Sequence, residues 1–211
     1  DSVCLMRAIQ SLLLATICLA LLSGAAPTPG STGPEPIFDY ARELAAQAES
    51  ADARSEHLRT LALGAVKAGH PELAARYFRL AADEAQQTDQ PGRLLRVLAV
   101  RCAENGLVQA ARSIAERLPD TGLRTEALLD VVEALPEETA PAIIDGILGE
   151  VAEASRHPTE IRERIDVMCR TAGLAARMGR EEAAAELFEE AWRDAGSLKD
   201  RPGYPADRSQ D

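Results

Sequence analysis

Five glutamates crowd one short stretch of this chain, Glu181, Glu182, Glu186, Glu189 and Glu190. At helical spacing Glu182 shares a face with Glu186 or Glu189. Paired carboxylates are the groups of general acid–base chemistry, which needs one acid held protonated in a desolvated cleft. Here the acids alternate with Ala183, Ala184, Leu187, Phe188 and Ala191, the pattern of an amphipathic helix whose charged side faces water. The histidines, His57, His70 and His157, lie near expected helix starts or turns and far apart in sequence. A metal site would need two or more of them together, so they read as solvated loop residues. From residue 26 onward there is no GxSxG, HExxH, GxxxxGK, GxGxxG or CxxC. The expectation is a chain without catalytic residues, cofactor or metal, and not an enzyme.

Bulk properties narrow the partners. The net charge of −11 counts against nucleic acid and anionic lipid, because phosphate binding needs clustered Lys and Arg. Hydrophobic residues make up 46% of the chain but aromatic ones 3%, so burial must come mainly from Ala, Leu, Ile and Val. Of the aromatics, Tyr77, Phe78, Phe188 and Trp192 occupy packing positions of helical patterns; Phe38, Tyr40 and Tyr204 are left for other roles.

The beginning of the sequence reads as an address. From Met6 it runs MRAIQSLLLATICLALLSGAAPTPG, with a cation at Arg7, an apolar stretch and small residues at Ser23, Gly24 and Ala25. This is the pattern of a secretory signal over residues 1–25, starting at Met6 and cut after Ala25. The apolar stretch is shorter than the roughly 20 residues of a membrane span, and no later segment is apolar enough, so no stable membrane insertion is expected after cleavage. The expected product is secreted or periplasmic; an uncleaved signal anchor is the alternative. Residues 26–36, rich in Pro, Gly, Ser and Thr, read as a flexible linker, and 197–211 as a disordered tail. Cys102 and Cys169 remain after cleavage, and both sit in apolar helical patterns, which predicts two buried free thiols.

Between residues 37 and 196 apolar residues recur at spacings of three and four, never two. Leu58, Leu61, Ala62 and Ala65 make one stripe, Leu95, Leu98, Ala99 and Cys102 another, and Met168, Ala172 and Ala175 a third. The chain is therefore predicted to be all-α, with antiparallel helix pairs joined by short turns. Breaks fall at Gly69 to Pro71, Asn105 to Gly106 and Gly179, among others, with Pro71 and Pro141 suited to first helical turns. Three stretches repeat one pattern. After each of Gly69, Gly106 and Gly179 comes a small residue five positions on, an apolar residue four further and another three beyond. The glycines are 37 and 73 residues apart, close to one and two copies of a unit of about 36.

These pairs resemble tetratricopeptide repeats, or a TPR-like relative. In that family a small residue in the first helix of a pair meets a small residue early in the second; here the matches are Ala62 with Ala74, Ala99 with Ala111, and Ala172 with Ala184. The large apolar position of the second helix is matched by Phe78 and Phe188 and by the smaller Ala115, the late alanine by Ala81 and Ala191 and replaced by Leu118. The first-helix aromatics and the closing proline of the family are missing, and the pair within 124–155 has Pro136 in its turn and no glycine. The resemblance implies a right-handed superhelical solenoid of about four helix pairs, with first helices lining a concave groove that holds a peptide. It places Arg59 and Lys67, Arg96 and Glu104, and Arg177 in that groove, with Asp130 at the position of Arg59 and Arg96 in the third pair. The expected function is a protein–protein interaction module or scaffold for a protein or peptide partner. The alternatives are a self-associating structural protein and, further off, an all-α enzyme with a carboxylate site.

Overall fold

The computed structural model describes residues 35–154 and 161–199. The signal stretch, most of the linker, His157 and the segment from residue 200 lie outside the described residues. Within them the chain is all-helical, with no strand. The helices are α1 (Glu35–Ala46), α2 (Ala51–Lys67), α3 (Pro71–Ala85), α4 (Pro91–Glu104), α5 (Val108–Ala115), α6 (Thr121–Ala134), α7 (Pro141–Ala154), α8 (Ile161–Arg177) and α9 (Glu181–Lys199). The first described helix starts at Glu35, two residues before the expected start of the repeat region, and α9 runs to Lys199, into the segment read as tail.

Two compact units divide the chain between Leu118 and Pro119. In the first, α1 to α4 each pack on the next helix in sequence, and α3 also touches α5. In the second, α6 to α9 follow the same rule, and α6 also touches α8. The closest-packed partners are α2 with α3, α4 with α5 and α8 with α9, the three pairs that carry the repeated glycine.

The local chemistry of the turns explains these pairs. Gly69, Gly106 and Gly179 have φ of 78°, 71° and 72°, the left-handed region that residues with a Cβ avoid. Each follows a helix end closed in the same way. The amide after the glycine donates to a carbonyl five residues back, His70 to Ala65, Leu107 to Cys102 and Arg180 to Ala175, each at 2.9 Å. The glycine amide itself donates three residues back, to Val66, Ala103 and Ala176. This double closure satisfies orphan carbonyls and reverses the chain within two residues. The next helix begins at once, and the amides of Ala74, Ala111 and Ala184 make equivalent bonds to His70, Leu107 and Arg180, each at 3.0 Å. Pro71, Pro91 and Pro141 open α3, α4 and α7, where a missing N–H costs nothing. The turn after α6 is different. Leu135 caps it in an extended conformation, as a residue before Pro136 must, and no glycine is used.

Small residues make the seams. Ala62, Ala74, Ala99, Ala111, Ala172 and Ala184 are all buried, on the facing helices of the three pairs. Three serine and threonine hydroxyls are buried among the described residues, and each is committed to a backbone carbonyl. Ser55 donates to Ala81 across α2 and α3 at 2.9 Å, Thr125 to Thr121 at 2.8 Å and Thr171 to Val167 at 2.7 Å.

Several side chains are not where the apolar pattern puts them. Phe38 is fully buried, its ring 5.9 Å from that of Tyr77, so α1 is pinned to α3 by an aromatic contact. Phe188 and Trp192 are the reverse: they are 46% and 81% exposed, because among the described residues no helix covers the outer face of α9. Cys169 is exposed on the same side, while Cys102 is buried as expected. His57 is no loop residue; it lies half-buried in α2, with Nδ1 lacking a hydrogen-bond partner. His70 is the residue before α3, as its position suggests.

Two expected results follow from this core. Burial pushes the Cys102 thiol far up from its ordinary range, so it stays protonated and shielded. Iodoacetamide should modify Cys169 in the folded protein and Cys102 only after denaturation, as peptide mapping by mass spectrometry will read; early Cys102 labelling would contradict this core. Tyr77 is buried with its hydroxyl unpartnered, and burial, then Asp39, raise its pKa. An orphan hydroxyl costs about 1–3 kcal/mol, so Tyr77→Phe should leave stability at pH 7 unchanged or raised. Because the folded state holds the Tyr77 proton more tightly, its contribution is complete below the unfolded pKa of about 10 and is lost as pH rises above it. Urea midpoints between pH 9 and 11 should therefore fall less in Tyr77→Phe than in the wild type.

Candidate functional site

The side chains expected in the groove are charged, and the helices that carry them set their positions. In the first unit Arg59 stands on α2, one turn after Glu56. Its Nε donates to Glu56 at 2.8 Å and an Nη makes a second contact with the same carboxylate, so the fork is oriented by its own helix. That hydrogen bond raises the guanidinium pKa further. Arg96 is half-buried on α4, and Lys67 is exposed in the last turn of α2. Glu104 accepts from Arg101 at 2.7 Å, also within one helix. Between α2 and α4 in packing order lies α3, held by Arg54, whose Nε donates to Glu84 at 2.7 Å and whose Nη1 donates to the Ala48 carbonyl at 3.2 Å. Asp83, also on α3, receives Arg117 at 2.6 Å.

The second unit organises its charges differently. Here the first helices of two successive pairs, α6 and α8, are joined by ion pairs. Arg170 donates to Asp130 at 3.0 Å and lies 4.0 Å from Glu133, which also accepts from Arg177 at 3.1 Å. Arg177 is therefore engaged by a carboxylate rather than standing open, and it belongs to a different unit from Arg59, Lys67, Arg96 and Glu104. Asp130, aligned with Arg59 and Arg96 by the repeat, occupies a first-helix face as they do, with opposite sign. Glu133 and Arg170 were not singled out by the sequence; their spacing of 37 residues, one repeat, is the signal that could have found them.

Between α7, the end of α8 and the start of α9 lies an open cavity of about 620 Å³. Leu148, Ala152, Ala175 and Leu187 give it apolar walls, and the Arg180–Asp145 pair stands at its edge. Arg180 reaches both oxygens of Asp145, at 2.5 and 3.2 Å, a bidentate clamp from the glycine turn to α7. The glutamates of α9 do not converge on this cavity as a set: Glu181 and Glu182 line it and Glu189 lines a separate cleft. Among the described residues no group of His, Cys, Asp and Glu has the arrangement of a metal site, and no helix is long and apolar enough to cross a membrane. In comparisons with protein-family models, curated proteins and solved structures, nothing matches this chain.

Proposed function

We propose that this chain is an exported, non-catalytic protein-binding module, built as a right-handed TPR-like solenoid whose first helices hold a protein or peptide partner in a concave groove. The observation that carries this reading is the threefold recurrence of one hairpin: a left-handed glycine, the same double closure of the preceding helix, and a buried alanine five residues on. Hairpins repeated in this way bury their faces on their neighbours and leave a continuous row of first-helix side chains for recognition. Arg59, Lys67 and Arg96 are cations of that row in the first unit. Arg59 and Arg96 are each half-buried on a first helix, so little side-chain freedom is lost when a carboxylate or backbone carbonyl binds. Export is supported by the residues from Met6 to Ala25.

Affinity capture from the exported fraction tests the reading, with the wild type beside an Arg59→Glu, Arg96→Glu variant of equal thermal stability. A protein retained by the wild type and lost by the variant supports the groove. Equal retention by both removes Arg59 and Arg96 from recognition.

A further inference from the structure

The cavity between α7, α8 and α9 has the size and walls of a site for one small organic molecule. Leu148 and Ala152 on α7, Ala175 on α8 and Leu187 on α9 give it apolar sides, and its volume of about 620 Å³ lies in the range of ligand pockets. Gly149 leaves a further opening in the α7 wall. Glycine inside a helix weakens it, yet a Cβ built at Gly149 would meet nothing within 4 Å, so no close contact among the described residues calls for it. An apolar body lying in the cavity can approach the α7 backbone at that point.

The polar groups of the lining select the head of that molecule. Thr171, also on the wall, has given its hydroxyl proton to the Val167 carbonyl at 2.7 Å, so its oxygen is left only to accept. Arg180 has all three guanidinium nitrogens engaged: Nε and Nη2 donate to Asp145, and Nη1 donates to the Met178 carbonyl at 2.8 Å. The Arg180–Asp145 pair cancels, and Glu181 and Glu182 leave the lining with two negative charges. The start of α9 opposes them, but a helix N-terminus amounts to about half a positive charge against two full carboxylates. An anion would meet net repulsion, and a neutral molecule would gain nothing from the glutamates. A cation complements them.

We propose that this cavity binds a small organic cation, an alkylammonium or arylammonium whose apolar body lies along Leu148, Gly149 and Leu187 and whose nitrogen sits by Glu181 and Glu182. The site lies within the second unit and includes none of Arg59, Lys67, Arg96, Glu104 and Arg177, so it stands or falls apart from the groove. The probe is octylammonium, titrated into the full chain and followed by the backbone amide NMR signals of Gly149, Thr171 and Gly179, three positions on the wall. Octanol and octanoate, which share its body and differ in charge, are the controls. Octylammonium should shift these signals in a saturable way and bind about tenfold or more tighter than either control, less so as salt is added. Glu181→Gln, Glu182→Gln should weaken it by about tenfold. Gly149→Leu sets a side chain in the open space and should abolish binding with the thermal midpoint unchanged or raised, since leucine is the better helix former. Octanoate binding as tightly as octylammonium overturns the proposal in favour of an anion at the start of α9, and equal binding of octanol reduces the cavity to an apolar hollow without charge selection. Binding that survives unchanged in Gly149→Leu, which would be attraction elsewhere on a chain of net charge −11, overturns it too, as does the absence of any saturable shift at millimolar octylammonium.

Discussion

Phe78→Ala should lower the unfolding free energy by about 3–5 kcal/mol, while Phe188→Ala should change it by less than about 1 kcal/mol. The two phenylalanines hold the same place in the repeated motif, nine residues after Gly69 and Gly179. Phe78 is fully buried in α3, which packs against α2, α4 and α5, so truncation both removes transfer energy and leaves a void that rigid neighbours cannot fill. Phe188 already has 46% of its surface in water, and water replaces the lost ring without a cavity. Urea midpoints of the two variants against the wild type decide the matter. Equal losses would mean that the outer face of α9 is covered in solution.

Ala74→Leu should destabilise by about 1–3 kcal/mol, and Ala185→Leu by no more than about 0.5 kcal/mol. Ala74 has no exposed surface and lies at the start of α3, where its amide is fixed to the His70 carbonyl at 3.0 Å. Three added methyl-sized groups there must push α3 from α2 or force strained rotamers, because the turn at Gly69 leaves no slack. Ala185 is one residue past the equivalent alanine of the last pair and points to water, so the larger side chain meets nothing. Thermal midpoints of both variants test the seam; no loss in Ala74→Leu would show that the pair is held by other contacts.

Much of the backbone was legible. The spacing of apolar residues is a property of each segment, and it reads out as helix whatever the segment packs on. The glycine turns were legible because their conformation is forbidden to other residues at little distance from the helix end, so residue type and local geometry are tied. Exposure was less legible. Phe38 lacks an obvious stripe of its own yet is buried, since α1 folds onto Tyr77 39 residues later. His57 is half-buried although Glu56 and Arg59 beside it are charged.

The charged surface shows the same division. Arg59 with Glu56 and Arg101 with Glu104 are pairs at a spacing of three, which any helix brings together. Arg170 with Asp130, Arg177 with Glu133 and Arg180 with Asp145 span 40, 44 and 35 residues, and no local rule selects them. The sequence by itself therefore determined the helices, the left-handed glycines that end three of them, and the small residues available for the seams, because each depends on a residue and its neighbours within a turn or two. Only the tertiary structure decided which apolar faces are covered, which carboxylate takes each arginine, and that Phe188, Trp192 and Cys169 meet water, because burial depends on whether a distant segment arrives to exclude it.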